Sequence, residues 1–463
     1  MGRGVHRQPG DLIAAMPNPI AEYHDLLTPD LAAESQALLD DQLRRRGLIF
    51  GDRPLCTVLR PRFMTREPYR LLQQRVRVLM RAFRKAYAAA IADPGFRAQF
   101  GLEAWEEELI SSDPGFAEPS PTSRLDLFVM DDAGTMGLTE YNAETPAGAG
   151  FNDALAASFI DLPIMRRFSR EWEVEPLLAR HGVMHTLLDS WEEFSGGRSR
   201  PRIAIVDWPD VPTRNEFVLY QEAFEQLGIP CVITDPRAME YRQGKLFAGS
   251  EPVDLIYKRV LITELVKECG LDNPMVRAVR DRAVCMVNPF RSKILHKKAS
   301  LAVLSDEKNA RLFRPEELEA VRAFIPWTRR VEDRRTVHDG EQVDLVGFIN
   351  RHKDQMVLKP NDDYGGAGIV LGWQADATEW AAAVQNALAT PYIVQQRVPI
   401  PSEPYPSYAD GTLQVFDRML DTAPFVSHAD YASGFLSRLS TAALLNVTAG
   451  GGSTVPTFLV EKR

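Results

Sequence analysis

The sequence has little cysteine. Cys56, Cys231, Cys269 and Cys285 are the only four among 463 residues, and no two stand in C-x-x-C spacing, so neither a zinc site nor a disulfide framework is indicated. Long apolar runs are missing too: no stretch approaches the ~18 residues of a membrane span, and residues 1–30 carry charges and prolines rather than a secretory core. There is no basic excess, since 54 Lys+Arg face 63 Asp+Glu for a net charge of −9. A nucleic-acid partner held by phosphate neutralisation is therefore not expected. These absences lead us to expect a cytoplasmic protein without a membrane partner, and they leave oligomeric state unspecified. Hydrophobic residues at 45% and charged ones at 25% give the ordinary globular mixture and exclude a disordered or fibrous chain.

The periodicity divides the chain. Residues 1–120 read as a helical N-terminal region, with Ala32 to Arg46 and Tyr69 to Ala90 showing apolar residues at three- and four-residue spacing. Residues 121–199 start with a period of two and return to a helical pattern from Pro146 to about Glu193. In 200–287, the apolar run Ile203 to Val206, a helical stretch Asn215 to Leu227 and a second apolar run Cys231 to Thr234 predict a βαβ unit. It lacks the Gly-x-Gly-x-x-Gly of a dinucleotide site. A further α+β segment, 288–463, is interrupted by a proline-rich loop from Pro399 to Pro406.

Three stretches carry candidate chemistry. In Ser123 to Asn142, two alternating runs flank a turn containing Asp132 and Gly134. With Asp131 opposite Thr135, Asp126 faces Glu140 and Arg124 faces Asn142, all four on one side. Two adjacent carboxylates need an arginine, a shared proton or a cation, and two carboxylates with an amide oxygen form the hard donor set that Mg²⁺ takes beside substrate phosphates. The competing reading is a solvated face on which Arg124 pairs with Asp126. The second stretch is a strand, Gln355 to Pro360, ending in Lys359 and followed by a loop with Gly365, Gly366 and Gly368; backbone amides and a lysine there suit a polyphosphate. The Gly-Lys-Ser/Thr of a P-loop is absent. The third, Asn288 to Leu304, enters a helix at its basic end, His296-Lys297-Lys298.

Together these elements resemble the ATP-grasp enzymes. In the common arrangement the Glu-x-Asn strand follows the adenine hinge, whereas here Arg124-x-Asp126 and Glu140-x-Asn142 precede Lys298, Lys359 and Gln395. That order resembles the circularly permuted group that includes the glutathionylspermidine synthetase-like proteins, over roughly residues 120–463. The resemblance implies an α+β, circularly permuted ATP-grasp fold in which the βαβ unit is of pre-ATP-grasp type. It implies that Asp126, Glu140 and Asn142 hold Mg²⁺, that Lys298 or its neighbour Lys297, together with Lys359, Gly365 and Gly366, contacts ATP, and that Gln395, Gln396 and Val398 form the adenine hinge. Arg124 and Arg438 would contact the reacting carboxyl group or its phosphate. The implied activity is ATP- and Mg²⁺-dependent carboxylate–amine ligation of small-molecule acid and amine substrates through an acyl phosphate. A kinase or phosphotransferase, and a non-catalytic nucleotide-binding scaffold, are the alternatives. Asp362 and Asp363 put two acids into a loop that the resemblance assigns to phosphates.

Overall fold

The structure is a computed structural model that describes residues 18–130, 135–197, 199–363, 366–441 and 452–463. Its N-terminal part is built around the 27-residue helix Arg66–Ala92. Tyr69, Leu72, Val76, Leu79, Met80, Phe83, Ala86 and Ala90 recur every three or four residues and form one buried stripe. That stripe packs on the inner residues of the strands that carry the carboxylates, including Leu125, Leu138 and Tyr141.

Those strands belong to a seven-stranded antiparallel sheet. In spatial order, Ser402–Ala409, Thr412–Leu420, Tyr431–Ser440, Ala423–Ser427, Thr122–Val129 and Met136–Asn142 form its body, and Ser453–Val455 pairs onto Tyr431–Ser440. The segment Pro399 to Pro406, expected as a loop, contributes the edge strand Ser402–Ala409. Its prolines are tolerated because an edge needs only one side of its hydrogen-bonding groups; the carbonyl of Pro406 accepts from the amide of Leu59.

A second antiparallel sheet orders Thr328–Arg330, Tyr392–Gln396, Met356–Pro360 and Val370–Leu371. Helices Leu345–Arg351 and Ala377–Ala389 cover one face of it, burying Phe348, Ile349, Met356, Leu358, Trp380, Val384 and Val394. The opposite face, bearing Lys359 and Gln395, is left toward the seven-stranded sheet. The helix expected across Asn288 to Leu304 is two short helices, Ser292–His296 and Ala299–Ser305, with Lys297 in a non-helical conformation between them.

In the middle of the chain, Ile203–Val206, Cys231–Thr234, Leu255–Lys258 and Cys285–Val287 make an all-parallel sheet, and helix Arg214–Gln226 connects the first two. Every residue of Ile203–Val206 is buried, as expected of a parallel strand covered on both faces. One of the smaller sheets joins three strands far apart in the sequence. Thr457–Lys462 lies between Arg62–Met64, to which it is parallel, and Trp172–Pro176, to which it is antiparallel. Trp172–Pro176 falls inside the stretch read as helical. Its five residues alternate buried Trp172 with exposed Glu173 and Glu175, a period-two signal too short to stand out between two helices.

At the carboxyl end of Ile203–Val206, Asp207 is buried with one carboxylate oxygen accepting from the amide of Trp208. Burial, opposed by the charge of Arg259, pushes its carboxyl up to about 6. Below the unfolded pKa the group is protonated in both states. As pH rises through about 6 the folded protein must ionise a buried carboxyl, and stability is lost. Asp207→Asn keeps the acceptor and removes the charge. It is therefore expected to match the wild type at pH 4 and to exceed it by ~2 kcal/mol at pH 7.5, read from urea denaturation at both pH values.

Candidate functional site

The carboxylate hairpin forms in the expected register at its functional end. Arg124 pairs with Asn142, Leu125 with Tyr141 and Asp126 with Glu140. Beyond this the register slips by one, Leu127 pairing with Leu138, so Thr139 is the extra residue of a β-bulge. Its hydroxyl donates to the Asp126 carbonyl at 3.0 Å. The single register expected through the turn therefore does not hold: Met130 donates its amide to the Thr135 carbonyl, and Asp131, Asp132 and Gly134 lie outside the described residues.

Asp126 is buried between two arginines. Arg124 Nε donates to its Oδ1 at 2.9 Å and Arg438 Nη2 to its Oδ2 at 2.7 Å. Burial alone would raise its carboxyl pKa, but the two guanidinium charges outweigh that and hold it well below the usual range. Arg438 is fixed from behind by Asp421, which accepts from its Nε at 2.7 Å and from its backbone amide at 2.8 Å. For Asp421 burial wins over Arg438, and its carboxyl is raised. Glu140 pairs with Lys298 Nζ at 3.1 Å. Its burial is opposed chiefly by Lys298, so its carboxyl is lowered. Lys359 Nζ donates to the Thr139 carbonyl at 2.9 Å and to Gln395 Oε1 at 2.8 Å. Burial, partly offset by Glu140, brings Lys359 down to about 8.

Between the two sheets these groups border a cavity of about 180 Å³. Its lining combines the charged Asp126, Glu140, Lys359, Asp421 and Arg438 with the apolar Val357, Ile369, Leu371, Trp373, Val398 and Ile400. Gly366 and Gln396 also line it, while Gly365 lies outside the described residues. Gln395 borders the cavity too, but its side chain is engaged in bonds to Lys359 and, through Nε2, to Thr328 Oγ1 at 3.1 Å. Arg124, Asn142 and Lys298 are not among the lining residues, though Arg124 and Lys298 pair with Asp126 and Glu140, which are. The Asn142 side-chain nitrogen is buried without a hydrogen-bond partner.

The neighbouring lysines divide. Lys298 faces Glu140 and also donates to the Asp363 carbonyl, whereas Lys297 Nζ pairs with Glu106 at 2.7 Å and with Asp362 at 3.0 Å. Lys293 joins that second group, 2.8 Å from Asp362. Asp362 is therefore turned away from the cavity, anchoring the loop to buried lysines. Sequence reading missed Asp421, Glu106 and Lys293. Glu106 stands in a run of three glutamates and Lys293 in a basic segment, so nothing local singles them out, and for all three only the tertiary fold shows the partner.

No family model matches the chain. A Frankia alni protein provisionally named glutamate–cysteine ligase 2-3 is 24% identical over 428 residues, covering 84% of this chain and 45% of its own length. An uncharacterized protein of Mycobacterium tuberculosis is 28% identical over 216 residues, covering 44% of this chain and 37% of its own. The chain thus spans less than half the length of these curated relatives. Among solved structures, a glutathione synthetase-like effector of Globodera pallida in its apo form superposes with a TM-score of 0.59 at 13% identity, over 94% of this chain and 99% of that one. The chain has a mixed α+β fold similar to that glutathione synthetase-like structure. Among the described residues no helix is long and apolar enough to cross a membrane.

The hairpin and the second sheet meet where Gly137 packs on Val398. A Cβ at Gly137 would lie 2.5 Å from Val398 Cγ1, so a methyl group there has to displace a side chain that lines the cavity. Gly137→Ala should cost ~1–3 kcal/mol, and Val398→Ala should recover most of that loss. A double-mutant cycle in urea measures the coupling; additive effects would show that the close approach is absent.

Proposed function

We propose that the chain is an ATP- and Mg²⁺-dependent carboxylate–amine ligase with a circularly permuted ATP-grasp fold. The observation that carries this reading is the cavity itself. Strands from residues 122–142, 356–371, 392–396 and 431–440 converge on one space lined by both apolar side chains and charged ones, a mixture that suits a nucleotide, whose base is apolar on its faces and whose phosphates are charged. Counted together with Arg124 and Lys298, which pair with lining carboxylates without lining the cavity themselves, four cations stand against three carboxylates, Asp126, Glu140 and Asp421, and such a net positive surplus favours a polyanion. The fold likeness and the ligase names of two similar proteins agree with it.

The donors fit magnesium in kind. Asp126 and Glu140 offer carboxylate oxygens, and an exchange of nitrogen and oxygen in the Asn142 amide would break no bond that its buried nitrogen makes. Mg²⁺ is commonly held by one or two carboxylates and completed by substrate phosphates, which is the part Asp126 and Glu140 would take. Magnesium, when bound, neutralises charge on the phosphoryl group in transfer.

In the proposed reaction a substrate carboxylate oxygen attacks the γ-phosphorus and ADP leaves. The amine then adds to the acyl carbon and phosphate departs, with the amine proton passing to solvent or phosphate. Lys359, positioned by Gln395, holds the triphosphate, and Lys298, paired with Glu140 outside the lining, adds positive charge beside it. Arg438, aimed by Asp421, and Arg124 stabilise the oxygens on which charge develops. The apolar residues of the cavity exclude water that would hydrolyse the acyl phosphate.

Two variants test the reading. Glu140→Gln preserves shape and removes one metal ligand charge, and Mg²⁺-dependent ADP release in the presence of acid and amine should fall at least 100-fold, with nucleotide binding changing much less. Lys359→Ala should lower nucleotide affinity or turnover at least tenfold, about 1.4 kcal/mol. Unchanged release in both folded variants overturns the assignment. A stable phosphorylated product would mark a kinase, and ATP binding without turnover a scaffold.

A further inference from the structure

A second cavity, of about 480 Å³, lies apart from the proposed ligase cleft and shares no lining residue with it. Its size falls within the ~300–1,000 Å³ span of small-molecule sites. Three helices enclose it: the end of Pro29–Arg45, the helix Ala149–Ile160 and one side of Arg214–Gln226. Arg180 enters from the start of the helix Arg180–Ser195. The lining runs from the buried Asp153, Ala154 and Ala223 out to the exposed Arg46, Val218 and Glu222, so the cavity opens to solvent.

The charges around it do not balance. Arg45 is held by Asp41 at 2.9 Å. Asp153 is engaged by the fold: its Oδ1 accepts from the Ala179 amide at 2.7 Å and from Asn152 Nδ2 at 3.1 Å, and its Oδ2 from the Arg180 amide at 3.1 Å. The Arg180 guanidinium, by contrast, forms no ion pair among the described residues. Its Nη1 reaches the Leu219 carbonyl only at 3.5 Å, its Nη2 bonds to none of them, and its Nε is buried without a partner. Arg46 donates Nε to Gln42 at 2.9 Å and likewise pairs with no carboxylate among the described residues. Against these two cations stands Glu222, exposed at the rim. A guanidinium drawn partly out of water without an anion loses hydration that nothing offsets.

We propose that this cavity binds a small organic acid through its oxyanion, a carboxylate or a phosphate ester. The two terminal nitrogens of Arg180 present parallel N–H groups, the geometry that such oxygens accept. Arg46 adds a second positive charge from the rim. Ala154, Ala157, Leu219 and Ala223 offer apolar surface to the carbon skeleton. The site stands whether or not the ligase reading does.

The test is thermal unfolding of the whole chain titrated with butyrate, inorganic phosphate or the neutral butyramide, chloride keeping ionic strength constant. A ligand that binds only the folded state raises Tm with its concentration. Butyrate, phosphate or both should give a saturable rise, and butyramide none. A response to butyrate alone assigns a carboxylic acid, to phosphate alone a phosphate ester, and to both a site that reads charge. Arg180→Met should abolish the rise, and Arg46→Glu, at an exposed helix end, should increase the half-saturating concentration about tenfold or more. Lys359→Ala should retain the rise, since that lysine lines the other cavity. No saturable anion-specific rise in the wild type, an equal rise in folded Arg180→Met, or a rise lost in Lys359→Ala overturns the proposal. Should Arg180→Met not fold, an undiminished rise in Arg46→Glu overturns it instead.

Discussion

Charges taken out of water must be paired, and that constraint shapes the whole cleft. Arg124, Arg438, Lys298 and Lys359 could not be brought toward one another in a low-dielectric space by packing alone. Each is held by an oxygen supplied from a different part of the chain: Asp126 and Asp421 for the arginines, Glu140 for Lys298, and Gln395 with the Thr139 carbonyl for Lys359. The pairs link the carboxylate hairpin, the strand Tyr431–Ser440 two places along the same sheet and the second sheet into one electrostatic unit. An incoming polyanion competes with these internal oxygens for the same cations, so part of its binding energy goes to loosening pairs already made.

The same rule separates the cleft from its surroundings. A few ångströms of backbone divide Lys298, which faces Glu140, from Lys297 and Lys293, which face Glu106 and Asp362. Glu144 extends this second network to Lys258 at 3.3 Å and to Lys293 at 3.4 Å, with no exposure of its own side chain. Burial would raise the Glu144 carboxyl, yet the two lysines outweigh it and hold it well below the ordinary range. Three lysines are thereby removed from contact with any ligand in the cavity, and the break between the helices Ser292–His296 and Ala299–Ser305 is what turns adjacent lysines toward different partners.

How far the sequence could be read depended on the range of the interaction. The pairing of Asp126 with Glu140 was legible because both lie in one hairpin, where alternation decides the face and the turn nearly decides the register. The bulge at Thr139 was not, since the hydroxyl and carbonyl that stabilise it carry no pattern. Lys359 at a strand end before a glycine loop was legible for the same local reason. Asp421 and Glu106 were not, because each takes its meaning from a partner elsewhere in the fold. Trp172–Pro176 and Ser402–Ala409 escaped notice as short or proline-bearing edge strands, whose stability comes from a neighbour rather than from their own residues.

The three-stranded sheet has a consequence for the order of events in the cell. Its centre, Thr457–Lys462, separates two edge strands made from residues 62–64 and 172–176, so the first edge waits for its partner through nearly four hundred further residues of translation and the second through nearly three hundred. At ~5–20 residues per second that wait lasts many seconds. During it Phe63 and Trp172, which end up in one core with Phe458, have no strand to close over them. Ribosome-associated chaperones would meet the nascent chain in that interval, and an expression host short of them would lose protein to aggregation before the last strand arrived.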